Sequence, residues 1–265
     1  MLTAADILRA QRPLMTNQPK TEWIDFGFET VPVTEKQSRV ADVFSSVASS
    51  YDVMNDLMSG GVHRLWKDAL MDWLAPSEGQ VLVDLAGGTG DIALRFLKRG
   101  GSHAHVIDIN ADMISAGQKR RNLKAYSNQI DWVVASAEDI PLQTGTADRV
   151  TISFGLRNVT NRDIALREAL RVLKPGGRFC CLEFSTVQNA ALLKLYDFWS
   201  FNGLPQLGRI VARDEAAYRY LAESIRMFPS QHELARMMSG AGFAQVRFRN
   251  LSNGIAAIHS GWKLD

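Results

Sequence analysis

Between residues 81 and 200, short apolar runs alternate with segments whose apolar residues recur at helical spacing. The runs predict buried strands, and the segments between them predict helices that cover the strands. Strands are predicted at 81–85, 103–108, 131–135, 148–154 and 178–184, and helices at 91–98, 111–121, 162–173 and 190–200. Such alternation is typical of a doubly wound, mostly parallel α/β sheet of the Rossmann-like type.

The two ends of the chain depart from this alternation. Residues 1–37, with prolines scattered among polar residues, are predicted to form a variable and flexible segment. Residues 38–75 have helical periodicity, interrupted by Ser59-Gly60-Gly61, and predict an N-terminal helical cap on a single domain at 38–265. Two late β-like runs, 245–251 and 254–259, are joined by Asn253-Gly254, a strong hairpin signal that would leave one antiparallel strand in the sheet.

Composition narrows the classes of function. The 265 residues are 46% hydrophobic and 22% charged, with a formal net charge of +2 and no block of like charge, so nucleic-acid binding is not expected. No apolar stretch reaches the roughly 20 residues that a membrane-spanning helix needs. Residues 1–20 lack the apolar core of a secretory signal. We therefore expect a cytoplasmic protein, with the mitochondrial matrix as the alternative because Arg9 and Arg12 fit a weak targeting element.

A glycine-rich turn is the most informative motif. The first strand of the alternating region carries Asp84 and runs into Gly87-Gly88-Thr89-Gly90, which opens a helix at Asp91. Glycines allow a tight turn and a close approach of the backbone to a ligand. Asp108 ends the next strand, 20 residues after Gly88, where a carboxylate can accept hydrogen bonds from ribose hydroxyls.

The charges around this turn favour one class of ligand. A dinucleotide would place its pyrophosphate at the helix N-terminus, where Asp84 and Asp91 would repel it. The same carboxylates would tolerate or attract the ammonium and sulfonium groups of S-adenosylmethionine. A helix cap at Asp91 and turn roles for Asp84 and Asp108 stay open as alternatives.

A third element fits the same cofactor. After the third strand, an acidic loop of small residues, Ala135-Ser136-Ala137-Glu138-Asp139, can offer backbone donors and acceptors to an adenine edge. Together with the glycine turn and Asp108, this loop makes the chain resemble a class I S-adenosylmethionine-dependent methyltransferase. This resemblance implies a mostly parallel seven-stranded sheet that ends in an antiparallel hairpin strand, with the cofactor over the carboxyl ends of the strands.

Three longer blocks carry a sharper resemblance. They are YDVMNDLMSGGVHRLWK at 51–67, ISFGLRNVT at 152–160 and YRYLAESIR at 218–226. They closely resemble the quinone-biosynthesis C-methyltransferases, the demethylmenaquinone and polyprenyl-methoxy-benzoquinol methylases, and the match spans about residues 40–261. The resemblance implies methylation of a ring carbon of a prenylated benzoquinol, of demethylmenaquinol, or of both. A methyltransferase of another lipid or small molecule is the alternative.

The resemblance also assigns residues. Thr89, Asp108, Ser136, Ala137 and Ser153 match cofactor-binding positions, in addition to Asp84, Gly88 and Gly90 of the turn. Tyr51 either closes over the methionine part of the cofactor or packs in the core. The apolar, aromatic stretch 190–228 is either a lid or tail channel or ordinary core. No metal site is expected, and a prenylated quinol, other quinone-biosynthesis enzymes, a membrane surface and a second copy are the expected partners.

The chemistry suggests three further residues. A ring carbon becomes nucleophilic when a quinol hydroxyl ionises, which for a tyrosine-like phenol occurs near pH ~10, so the site must remove a proton or stabilise the anion. Arg157 has a permanent charge and follows a strand's carboxyl end, and Asn158 beside it could orient a hydroxyl or a water. The resemblance points to the same pair, whereas a surface arginine and a turn asparagine are the alternative. His63 is either a proton acceptor or a structural histidine.

Overall fold

A seven-stranded sheet forms the centre of the molecule. The computed structural model describes residues 22–47, 56, 59–189, 193, 194, 196, 199–203 and 215–265. The sheet strands are β3 (Val81–Leu85), β4 (His103–Asp108), β5 (Ile130–Val134), β6 (Ala147–Ser153), β7 (Leu173–Phe184), β8 (Ala244–Leu251) and β9 (Ala256–Trp262). Their order is β5-β4-β3-β6-β7-β9-β8, and only β9 runs antiparallel to its neighbours. The prediction of a mostly parallel sheet closed by a hairpin is confirmed.

Helices cover both faces of this sheet. They are α1 (Val33–Val47), α2 (His63–Leu74), α3 (Asp91–Lys98), α4 (Ala111–Gln118), α5 (Arg162–Val172), α6 (Glu215–Arg226) and α7 (Gln231–Gly240). Successive strand residues point to opposite faces. Leu82 therefore packs with α2, α3 and α6, whereas Val83 and Leu85 pack with α5 and α7. This double burial explains why the parallel strands are apolar without alternation.

The N-terminal region is more ordered than the sequence predicted. Residues 23–37 were expected to belong to a flexible segment, but β1 (Trp23–Phe26) and β2 (Glu29–Pro32) form a hairpin, and α1 begins at Val33. The hairpin is held against α6, because the Phe26 ring stacks on Tyr220 at 4.2 Å and the Phe28 amide donates to Glu223 Oε2 at 3.1 Å. Periodicity alone does not reveal such a distant partner.

Other element boundaries shift by small amounts. The predicted helix 111–121 ends at Gln118 and is followed by a 3₁₀ helix, Arg121–Gln129. Leu173, predicted as the last helical residue, begins β7 because it pairs with Ala147. The predicted helix 190–200 lies largely outside the described residues. The described part of this region includes a short π-helix at Trp199–Gly203. Within the described ranges, no helix is both long enough and apolar enough to cross a membrane.

Candidate active site

A deep pocket opens at the carboxyl ends of β3, β4 and β6. It encloses about 1100 Å³ of space, including its open mouth. Its walls are the segments 86–89, 108–110, 135–138, 153–155 and 158–160, together with one face of α1. The three elements that the sequence analysis grouped as a cofactor site therefore meet at one place, as expected where parallel strands end at a common edge.

Two glycines of the turn have positive φ, where any other residue would be strained. Gly88 has φ +53°, and a Cβ there would lie 2.9 Å from Met113 Cε. Gly90, with φ +77°, precedes the first residue of α3, and a Cβ there would lie 2.7 Å from the Trp132 ring. The turn thereby keeps its backbone open to the pocket.

Asp84 and Ser153 present unpartnered polar atoms at the pocket wall. Asp84 Oδ1 accepts a hydrogen bond from the Thr151 hydroxyl at 2.7 Å. Asp84 Oδ2 and Ser153 Oγ are buried and have no hydrogen-bond partner in the described part of the chain. Burial raises the pKa of Asp84 to about 7, although the bond from Thr151 opposes this. Two orphaned polar atoms in a buried wall indicate a place for a polar ligand, and a cationic group would favour the ionised form of Asp84.

Asp108 organises the turn from the neighbouring strand. Its Oδ2 accepts from the Gly88 amide at 2.8 Å, and its Oδ1 accepts from the Asn110 amide at 2.9 Å. Burial raises the pKa of Asp108, while these backbone bonds act to lower it. With a third backbone bond from Ile109, the carboxylate still has about one acceptor site left, so the turn role left open by the sequence and a ribose contact are compatible.

Asp91 differs from its expected role. The sequence predicted a free negative charge at Asp91, but its carboxylate pairs with Lys67 at 2.9 Å and with Arg95 at 3.3 Å. Burial acts to raise the pKa of Asp91, but the two cations outweigh it and hold that pKa at about 2. The negative charge of Asp91 is therefore neutralised, and the electrostatic case against a pyrophosphate rests on Asp84 and Asp108.

Three more of the predicted cofactor-binding residues, Thr89, Ser136 and Ala137, also line the pocket. The Thr89 hydroxyl oxygen accepts from Arg120 at 2.7 Å, which fixes it beside the turn. Ser136 and Ala137 form the wall near the end of β5, and Ser136 Oγ accepts from the Glu138 amide at 3.1 Å. Tyr51 lies outside the described residues.

Arg157 lies behind the pocket wall. It follows β6, in a 3₁₀ turn at Leu156–Asn158, and its side chain is 2% exposed. Its Nη1 donates to Glu183 Oε1 at 2.8 Å and to the Phe154 carbonyl at 2.5 Å. The structure thus differs from the expectation of a charge facing the pocket, because Glu183 neutralises it. It also differs from the alternative of a surface arginine.

Asn158, next to Arg157, does line the pocket. Its Oδ1 accepts from the Tyr220 hydroxyl at 3.1 Å. With the oxygen occupied, the amide NH₂ of Asn158 is available to donate. Tyr220 and Glu183 escaped the sequence analysis, but Glu183 carried a signal, since it is a lone carboxylate in an otherwise apolar strand end.

His63 is buried away from the pocket lining. Its Nδ1 lies 2.9 Å from Ser59 Oγ and 3.6 Å from Asp56 Oδ1. Burial, and then the charge of Lys67, lower the pKa of His63 to about 4, although Asp56 opposes them. Its imidazole is therefore neutral at pH 7, in a setting that matches the structural alternative better than a proton acceptor.

Two histidines and an aspartate come together at the other end of the sheet. His103 Nε2 and His105 Nδ1 lie 2.8 and 3.1 Å from Asp131 Oδ2. The potential ligand atoms of the three residues lie within 4.8 Å of one another. His103 hydrogen-bonds to Asp131, and the three residues lie at the amino ends of β4 and β5, so this cluster adds nothing to the pocket.

Comparison with known proteins identifies the family. The model of the ubiE/COQ5 methyltransferase family matches residues 32–263. A relative named ubiquinone/menaquinone biosynthesis C-methyltransferase, from Roseobacter denitrificans, is 57% identical over 90% of this chain and 96% of its own length.

Solved structures share the fold at low identity. A methyltransferase from Thermotoga maritima has a TM-score of 0.60 at 18% identity, covering 84% of this chain and 99% of its own. The [4+2]-cyclase SpnF has a TM-score of 0.62 at 17% identity, covering 86% and 96%. Because a cyclase shares it, the fold alone does not fix the reaction. The family match does, and the chain belongs to the ubiE/COQ5 methyltransferase family, whose cofactor is S-adenosylmethionine.

Proposed function

We propose that this enzyme methylates a ring carbon of a prenylated quinol, a polyprenylated benzoquinol, demethylmenaquinol or both, in ubiquinone and menaquinone biosynthesis. The observation that carries the proposal is the 57% identity, over nearly the full length of both chains, to a C-methyltransferase of that name. The pocket also suits the chemistry of the reaction. Its polar side chains can bind the hydroxyl of a quinol ring, and its carboxylates can bind the positively charged groups of the cofactor.

The cofactor lies along the glycine turn in this proposal. S-adenosylmethionine supplies an electrophilic methyl group, and the residues of the chain hold and orient it. Asp84 Oδ2 and Ser153 Oγ, which have no hydrogen-bond partner among the described residues, receive the amino-acid part, while Asp108 accepts from the ribose hydroxyls. Gly88 leaves room for the backbone to approach, Gly90 turns the chain into α3, Thr89 lines the turn, and Ser136 and Ala137 face the adenine.

Asn158 is proposed to bind the reacting hydroxyl of the quinol. The Tyr220 hydroxyl occupies the amide oxygen, so the NH₂ group points its donors at the negative oxygen that forms when the hydroxyl ionises. Arg157 acts as a positioning residue. Its bonds to Glu183 and to the Phe154 carbonyl hold the turn that carries Asn158. They also support the strained backbone at Phe154, which has φ +57°.

Water is proposed as the proton acceptor. Of the described carboxylates that line the pocket, Asp84 and Asp108 are assigned to the cofactor, Asp91 is paired with Lys67, and Glu138 accepts from the Thr160 amide. His63 lies outside the lining and has its pKa lowered to about 4. The ring carbon of the anion would take the methyl group in line as the bond from that methyl to sulfur breaks, and would then pass its own proton to water. Placement of the ring is therefore a large part of catalysis.

The setting of the enzyme is part of the same proposal. A polyprenylated substrate resides in a membrane, and we propose a cytoplasmic enzyme that associates peripherally with the inner membrane face, with the mitochondrial matrix as the alternative. Contacts with other quinone-biosynthesis enzymes and a homodimer are compatible with this setting.

The test is a deletion and rescue experiment. Cells that lack the gene should accumulate a demethylated prenyl-benzoquinol or demethylmenaquinol, identified by mass spectrometry, and the wild-type gene should restore the methylated product. The Asp108→Ala variant, expressed at the same level, should not. An unchanged quinone pool in the deletion strain would reject the substrate and favour a methyltransferase of another lipid or small molecule.

A further inference from the structure

A second pocket lies beside the cofactor pocket and shares no lining residue with it. It encloses about 640 Å³, including its open mouth. Its apolar walls come from Val62, Trp66, Trp199 and Ile255, which belong to three regions of the chain: the start of α2, the π-helix and the turn between β8 and β9. Trp199 is 39% exposed, so part of this apolar wall faces solvent.

The polar groups of this pocket are already satisfied. Ser59 Oγ is 2.9 Å from His63 Nδ1, and Ser252 Oγ accepts from the Trp66 indole at 3.0 Å. The Tyr196 hydroxyl bonds to Ser200, and burial raises the pKa of Tyr196 to about 12. Because each of these side-chain oxygens already has a partner, a polar ligand would regain few of its hydrogen bonds to water here, whereas a hydrocarbon chain has none to lose. The pocket is therefore built for an aliphatic occupant.

One layer of aromatic rings separates the two pockets. Trp66 lines the second pocket, and its neighbour Lys67 lines the first. The Trp66 ring lies 6.3 Å from that of Phe154, which also lines the first pocket, and 6.0 Å from that of Phe184. The second pocket thus lies one layer of rings away from the first, near enough for the polar ring and the apolar chain of one molecule to occupy the two pockets.

We propose that the second pocket binds the isoprenoid tail of the quinol. This inference rests on the proposed function and adds a binding site for the part of the substrate that does not react. Contacts made there hold the ring in place without touching it, which is how remote binding is used to orient a reacting centre.

The experiment narrows the pocket and varies the tail. Ile255→Phe fills the site, and Ile164→Phe, on the surface of α5 at 36% exposure, is the matched control. Two quinols with the same ring are compared, one with a tail of several isoprene units and one with a methyl group in its place. For the tailed quinol, KM should rise about tenfold or more in Ile255→Phe, the order expected when a hydrophobic pocket loses room for a small group. The tail-less quinol and cofactor affinity should be unaffected.

Val62→Phe, at another wall of the pocket, provides a second filling variant in case Ile255→Phe folds poorly. An equal rise in KM for both quinols, or no rise for either with both filling variants folded, would overturn the tail site. A third result would also overturn it: a straight-chain alcohol binds saturably and this binding is lost in the filling variants, but the KM of the tailed quinol stays at the control value. The pocket would then bind a membrane lipid instead of the tail. Failure of the proposed function has a separate signature, because the wild-type enzyme would then methylate neither quinol.

Discussion

The buried ion pair between Arg157 and Glu183 allows a quantitative test of the site's architecture. Both side chains are 2% exposed, and the shorter of their contacts is 2.8 Å. Glu183 also accepts from the backbone amides of Arg157 at 3.3 Å and Phe184 at 2.9 Å, so a single carboxylate holds the ends of β6 and β7 together. In Glu183→Gln the size of the side chain is kept, but a buried guanidinium loses its counter-ion.

The expected loss follows from desolvation. Removing one partner of a buried pair typically destabilises a protein by about 3–5 kcal/mol, because the remaining charge stays buried without compensation. The glutamine oxygen can keep one hydrogen bond, so we expect the lower end, about 3 kcal/mol. At roughly 2–4 °C per kcal/mol for a chain of this size, the melting temperature should fall by about 6–12 °C.

Urea unfolding of the cofactor-free protein, followed by tryptophan fluorescence, measures this change. Glu29→Gln is the matched control, because its pair with Arg39 is exposed, at 72% and 42%, and should contribute at most about 1 kcal/mol. The double variant Arg157→Met/Glu183→Gln should be less destabilised than the sum of the single variants, since neither charge is left alone. A loss in Glu183→Gln no greater than in the control would refute a desolvated pair.

Three further predictions concern single residues. Asp108→Ala should weaken cofactor binding roughly ten- to a hundredfold in calorimetric titration, the range for hydrogen bonds to a charged group, and an unchanged affinity would reject the ribose assignment. His63→Gln should leave the shape of the pH–rate profile between pH 5.5 and 8 unchanged, because the pKa of His63 is about 4; loss of an inflection near neutrality would restore its role as a base. Burial raises the pKa of Asp84 from 3.8 to about 7, so its protonated form contributes stability that is present below about pH 4 and lost as the pH rises through 7. In Asp84→Asn, urea unfolding across that range should show a smaller fall in stability, and an identical slope would contradict the buried carboxyl.

The sequence predicted the sheet well because its signals are local. The strands 81–85 and 103–108 and the helix 91–98 coincide with β3, β4 and α3, since each apolar run is bounded by glycine or a charged residue. The Asn253-Gly254 turn was also identified, and both residues have positive φ. The hairpin at 23–32 was missed, because the contacts that hold it come from Tyr220 and Glu223, about 195 residues further along the chain.

The candidate site was predictable in position but not in electrostatics. The motifs placed Asp84, Asp108 and Asn158 at one edge of the sheet, and all three line the pocket. Charge, however, depends on partners that sequence spacing does not reveal. Arg157 looked like a free cation beside the pocket until Glu183, on the next strand, proved to neutralise it at 2.8 Å.

Spatial partners also distinguish Asp91 from Asp84, although the sequence predicted a free negative charge at both. Asp91 meets Lys67 from the preceding helix, and its pKa falls to about 2. Among the described residues, the Asp84 carboxylate hydrogen-bonds to the Thr151 hydroxyl alone, and burial raises its pKa to about 7 although the charge of Lys67 acts to lower it. Because burial without a cation is costly for a carboxylate, a cationic ligand that reaches Asp84 Oδ2 would relieve that cost on binding. Asp84, which forms no ion pair within the described part of the chain, is thus the carboxylate best suited to select a positively charged cofactor.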